Sequence, residues 1–149
     1  MSISQKCQYA VRAIFELAKK GQGVSATIHE IAETQAIPPL FLEVILSQLK
    51  QGGFVDSRRG VQGGYMLAVS PEKLTAADII QFIDGPIDPV RCTLGASEAD
   101  CRLYGQCVFI NLWKRAGDAV TRVYKEATFQ KLIEEERECA GKSVENYCI

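Results

Sequence analysis

A chain of 149 residues with 47% apolar and 23% charged residues suits one compact domain and excludes a disordered or collagen-like polymer. The formal net charge of −1 supplies no bulk cationic field: residues 1–69 carry 7 Lys+Arg against 5 Asp+Glu, and residues 70–149 carry 10 against 13. The opening MSISQKCQYAVRAIF lacks the apolar core of a signal peptide and no run approaches the ~18–20 apolar residues of a membrane span, so the expected compartment is the cytoplasm, without a membrane partner.

In chain order, Tyr9, Ala10, Ala13, Ile14, Leu17 and Ala18 recur at three- and four-residue spacings and predict a helix over 5–20, capped by Ser4 and stopped by Gly21 and Gly23. Thr27 and Glu30 have capping-box spacing for a second helix over 27–35. Ile37-Pro38-Pro39 forces a turn. A third helix over 39–51 follows, burying Leu42, Ile45, Leu46 and Leu49 and ending at Gly52-Gly53. Three short helices with tight connections match a helix-turn-helix. Two strands are expected next, at 54–57 and 65–69, joined by the glycine-rich and arginine-bearing tip RRGVQGG. A hairpin in that place is a wing.

The pattern points to double-stranded DNA as partner. The start of the third helix would enter the major groove with Pro39, Phe41, Glu43 and Ser47 facing bases, Glu43 accepting from a cytosine amino group. Arg58 and Arg59 would reach the minor groove or phosphates, with Gln62 close by. The single histidine, His29, belongs on the outer face of the second helix.

Thr75 caps a fourth helix over 76–84, and Gly85-Pro86-Ile87-Asp88-Pro89 is a stiff linker because two prolines restrict it. From residue 108 a long helix carries Phe109, Trp113, Ala116, Val120, Val123 and Ala127 at steps of 4, 3, 4, 3 and 4, a seam suited to a symmetry mate. Thr128 caps a last helix over 129–137. The expected fold is therefore mainly α with a small β-hairpin wing: a winged helix-turn-helix over 1–84, a linker and cysteine loop over 85–107, a dimerisation helix and C-terminal helix over 108–138, and a tail over 139–149.

The loop RCTLGASEADCRLYGQC spaces Cys92, Cys101 and Cys107 as C-x8-C-x5-C. In a reducing compartment such thiols are ligands, sensors or inert residues rather than crosslinks. Three thiolates in one short loop favour a soft metal. Zinc prefers C-x2-C knuckles and four protein ligands, whereas iron–sulfur clusters are wider and tolerate longer gaps. The spacing alone leaves cluster, zinc and redox thiols open.

The segments SISQKCQYAVRAIFELA, FLEVILSQLKQGGFVDSRRGVQGGYML, DIIQFIDGPIDPVRC and TFQKLIE together resemble the family of winged-helix regulators that includes IscR, NsrR and CymR, over essentially the whole chain. The resemblance implies a homodimeric DNA-binding transcription regulator. In its cluster-bearing branch, three cysteines at the positions of Cys92, Cys101 and Cys107 hold a [2Fe–2S] or [4Fe–4S] cluster, here with a longer first gap. The [2Fe–2S] form is favoured. The fourth ligand departs from the pattern. Ile110 stands where IscR-like members have histidine, and Gln8 where NsrR-like members supply an aspartate from the other subunit, so the neighbouring Cys7 becomes the expected fourth ligand in trans.

The signal would be iron–sulfur status, redox poise or nitric oxide. The rival expectation is a cluster-free winged-helix repressor controlled by a protein partner or thiol oxidation. An enzyme with a small-molecule substrate is not expected: no nucleophile–base pair stands out, and residues 60–64 lack the Gly-Lys-Ser/Thr of a phosphate-binding loop.

Overall fold

The computed structural model describes residues 2–60, 63–94 and 101–141. They form α1 (Gln5–Lys20), α2 (Ile28–Gln35), α3 (Pro39–Gln51), β1 (Val55–Arg58), β2 (Gly64–Leu67), α4 (Ala76–Asp84), a 3-10 turn (Arg91–Leu94), α5 (Ile110–Glu126) and α6 (Phe129–Gly141). The expected class, six helices and a two-stranded antiparallel hairpin in winged-helix order, is what the chain adopts.

Local chemistry explains where the helices start. The Ser4 hydroxyl accepts the Cys7 N–H at 3.1 Å, while the Ser4 N–H donates to the Asp84 carboxylate at 2.8 Å, so the first turn of α1 is tied to the last of α4. Thr27 and Glu30 form a reciprocal capping box, with the Glu30 N–H donating to Thr27 Oγ1 at 3.2 Å and the Thr27 N–H to the carboxylate at 2.7 Å. The Thr27 N–H and the Thr27 hydroxyl, at 2.9 Å, both donate to the Glu30 carboxylate and hold it below its ordinary pKa. Thr75 and Asp78 repeat the device at α4, with bonds of 3.3 and 2.8 Å.

Most of the buried apolar surface lies in one cluster. Ile14 and Leu17 of α1, Ile31 of α2, and Leu42, Ile45, Leu46 and Leu49 of α3 pack with Val55 and Leu67 of the wing, Ile79 of α4, and Phe129 and Ile133 of α6. The C-terminal helix therefore completes the head's core instead of forming a unit with α5. It also runs to Gly141, past the expected end at 137, because residues 138–140 contain no breaker. A smaller cluster joins Cys7, Ala76, Ala77, Ile80 and Ile87, covered by Val120, Tyr124 and Ala127.

The wing pairs Val55 with Leu67 and Arg58 with Gly64. Its strands are displaced from the expected 54–57 and 65–69. The Phe54 N–H closes the end of α3 on the Leu49 carbonyl at 3.0 Å, and its ring meets Phe82 edge-on at 5.0 Å. Tyr65 also exchanges two 2.8 Å backbone bonds with Ala26, so the segment before α2 flanks the hairpin. Gly64 makes this possible: its φ is +152°, and a Cβ there would lie 2.4 Å from the Ala26 carbonyl oxygen.

The expected seam of the long helix is corrected. Val120 and Ala127 turn inward to the small core of their own chain, and Gly117 is the one described residue of α5 that is fully buried. A Cβ on Gly117 would sit 3.1 Å from Pro89 Cδ, so α5 lies directly on the linker. Leu112, Ala116, Ala119 and Val123, at steps of 4, 3 and 4, form the outward stripe instead, with Phe109 at its head. Periodicity marked the right helix but a line rotated toward the molecule's own α4. Among the described residues no helix is long and apolar enough to cross a membrane.

Candidate nucleic-acid interface and cysteine pocket

Because Leu42, Ile45, Leu46 and Leu49 fix the inner face of α3, the opposite face is open to solvent. Pro39, Glu43 and Ser47 lie on exposed positions as expected. Phe41 is about half exposed but leans sideways, its ring 6.2 Å from Tyr9 of α1 and nearly perpendicular to it. Leu40 and Val44, which sequence reasoning passed over, are also exposed, at 82% and 62%. A signal for them was present: in the stripe Leu40, Val44, Ser47 and Gln51, two apolar residues stand directly opposite the buried ones.

Beside this helix, Glu43, Val44, Ser47, Gln48, Gln51 and Tyr65 line a shallow groove between α3 and the wing. The Gln48 side-chain oxygen has no hydrogen-bond partner in it. Arg58 and Arg59 are both exposed at the wing, and Lys50 of α3 donates to the Ser57 hydroxyl at the hairpin's base. Gln62 lies outside the described residues. His29 projects from α2 with its Nε2 3.9 Å from Glu33, in the outer position expected of it.

The second site is the cysteine pocket. Cys92 sits in the 3-10 turn, and Cys101 and Cys107 in the turns leading into α5; all three are free and half-buried. They line a single cavity of about 330 Å³ together with Thr93, Tyr104, Ile110 and Lys114. Among the described residues, no three His, Cys, Asp or Glu side chains are close enough to grip one metal ion. The two observations are compatible: the sulfurs share a cavity but are spread round its wall. Ile110 lines this cavity too, and its aliphatic side chain offers no donor atom.

Cys7 lies elsewhere. Its side chain is 0% exposed among Ala76, Ala77, Ile80 and Ile87 of its own chain. Burial, then the Asp84 carboxylate beside it, pushes its thiol pKa up to about 12, which opposes the thiolate a metal requires. The expectation of Cys7 as a ligand reaching another subunit has no support in this position, because helix packing turned it into the core. Gln8 next to it is exposed. Cys139, near the end of α6, is disulfide-bonded, and Cys148 lies outside the described residues.

Comparison with known proteins places this geometry. Residues 3–135 match the Rrf2 family, described as iron-dependent transcriptional regulators. The chain belongs to the Rrf2 family. It is 37% identical over 132 residues to the HTH-type transcriptional regulator CymR of Bacillus subtilis, covering 89% of each protein. The structure of CymR, the global cysteine regulator of B. subtilis, superposes with a TM-score of 0.73 at 34% identity, covering 91% of this chain and 98% of that one. That of T. potens IscR gives 0.76 at 26% identity, covering 99% and 95%. As an Rrf2 regulator the chain is a DNA-binding transcription factor.

Proposed function

We propose that this Rrf2 protein is a cytoplasmic homodimeric repressor whose hold on a roughly palindromic operator is set by an iron–sulfur group at Cys92, Cys101 and Cys107. The observation that carries the reading is the shared cavity of those three sulfurs, whose wall residue Thr93 hydrogen-bonds Asp88 of the linker that continues α4. Soft thiolates spread round a wall suit a polynuclear group better than a single ion, with [2Fe–2S] as the expected form and [4Fe–4S] as the larger option. Three of four positions are accounted for in this way, and the fourth falls to a donor other than Cys7. When bound, such a group supplies a centre that responds to iron supply, redox poise or nitric oxide.

The chain's own residues give a contiguous route from this pocket to the DNA face. The Thr93 hydroxyl donates to Asp88 in the linker, Pro89 packs on Gly117, and the Ile87 carbonyl accepts from Thr121 of α5 at 3.4 Å. At the other end of the linker, Phe82 of α4 packs on Phe54 at the base of the wing. Reordering of the pocket would then bias the relative placing of two heads, provided the group binds one placing better than the other. Pro39, Phe41, Glu43 and Ser47 would face bases, and Arg58, Arg59 and Gln62 the backbone or minor groove. The outward stripe on α5 would meet its counterpart on a second copy.

A second reading has its own support. Likeness to CymR, a cysteine regulator, and the lack of a preformed metal-gripping trio among the described residues, favour a cluster-free repressor controlled by a partner protein or by thiol oxidation. Anaerobic purification followed by iron and sulfide analysis separates the two. Stoichiometric iron and sulfide with visible absorption, lost in Cys101→Ser, is the expected result. Colourless protein that takes up neither element under strict oxygen exclusion leaves only the second reading.

A further inference from the structure

The DNA-facing side of α3 is unusual in what it carries. Its outermost stripe is Leu40, Val44, Ser47 and Gln51, with Glu43 on one flank and Phe41 on the other. The only cation on the helix is Lys50, which is engaged with Ser57. Phosphates are strongly anionic and demand cations, so a surface of this composition is a poor match for the DNA backbone. It is a good match for base edges. In the major groove the one apolar feature of a base pair is the thymine C5-methyl, and the exposed Leu40 and Val44 side chains offer it apolar contact area.

The charges lie where this arrangement needs them. Arg58 and Arg59 stand exposed on the wing, displaced from the stripe, so backbone attraction and base reading are carried by different elements. The groove between α3 and the wing, lined by Val44, Ser47 and Gln51, joins the two. Nothing of the described chain covers Leu40 or Val44. An 82%-exposed leucine at the first turn of a reading helix loses water-exposed area only when something apolar docks on it.

We propose that Leu40 and Val44 are specificity-determining residues that read thymine methyl groups in the operator, one position for each side chain in each half-site. The proposal rests on the DNA-binding reading above and names what the site prefers. Glu43 beside them would accept from a cytosine amino group, so thymines next to a cytosine are the favoured motif.

The test starts from full-length protein and a random pool of duplex DNA, from which bound sequences are selected. Each thymine of the selected duplex is then replaced in turn by uracil, which removes the methyl and leaves base pairing intact. Affinity should fall about three- to fivefold at two positions per half-site, the size expected for one buried methyl. In Leu40→Ala the thymine-to-uracil ratio should collapse toward one at the first position, and in Val44→Ala at the second. Because each ratio compares two duplexes with the same protein, partial unfolding of a variant does not mimic the effect. Selected duplexes that bind equally well with uracil, or ratios unmoved in both variants, overturn the proposal and leave the regulator intact. Failure to enrich any sequence overturns both, and points to a protein partner for this apolar stripe.

Discussion

The head and the α5 arm differ in how completely each buries its own apolar surface. In the head, α1, α2, α3, α6 and the wing close over Ile14, Leu17, Ile45, Leu46 and Phe129, all wholly inaccessible. Along the 17 residues of α5, Gly117 alone is buried, while Leu112 and Val123 stay half exposed or more. A contiguous apolar stripe of that kind marks a surface that is finished by another molecule. The head thus buries its apolar surface within one chain, whereas the arm leaves an apolar stripe open, the surface proposed above to meet a second copy.

Four experiments sharpen or break that contrast. The largest effect is expected in the head: Leu46→Ala empties a site with no solvent access and should cost about 2–5 kcal/mol in urea unfolding. A loss under about 1 kcal/mol would mean the core can collapse around the gap. In the arm, Leu112→Asp should leave folding of the head within roughly 0.5 kcal/mol yet raise the dimer dissociation constant at least tenfold by sedimentation. Unchanged association would show that the stripe serves something other than a second copy.

The smallest effect distinguishes buried from pocket sulfur. In metal-free, reduced native protein at pH 8, iodoacetamide should alkylate Cys92, Cys101 and Cys107 while sparing Cys7 until denaturant is added. Cys7 also sets an alkaline limit. Its ordinary pKa of 9.0 applies to the unfolded chain and the folded value is about 12, so its contribution is intact below pH 9 and is lost as pH rises from 9 through 12. Cys7→Ala should flatten that alkaline decline. Rapid native alkylation of Cys7 would reopen its candidacy as a ligand.

How much was legible varies by region for a physical reason. Ser4, Thr27 and Thr75 announced three helix starts, because a cap acts on backbone groups within three residues of itself. The inner face of α3 was equally plain, since four leucines and isoleucines at helical spacing admit one burial. The outer side was read less well. Sequence reasoning singled out Phe41 but not Leu40 and Val44, which are 82% and 62% exposed against 52% for Phe41, whose ring lies near Tyr9, distant in sequence. The burial of Cys7 was hidden for the same reason. Nothing near it in sequence shows that Ala76, Ala77 and Ile80 will close over it.

The cysteine spacing and the caps, acting over a few residues, determined by themselves that this chain makes a winged head followed by a thiol-bearing loop. Tertiary packing decided the rest: that α6 returns to the head through Phe129, that Gly117 lets α5 lie on Pro89, and that the free stripe runs through Leu112 and Val123. Those outcomes depend on which of two apolar lines on one helix meets the protein's own core first. That competition is settled between residues far apart in the chain, where local pattern carries no information.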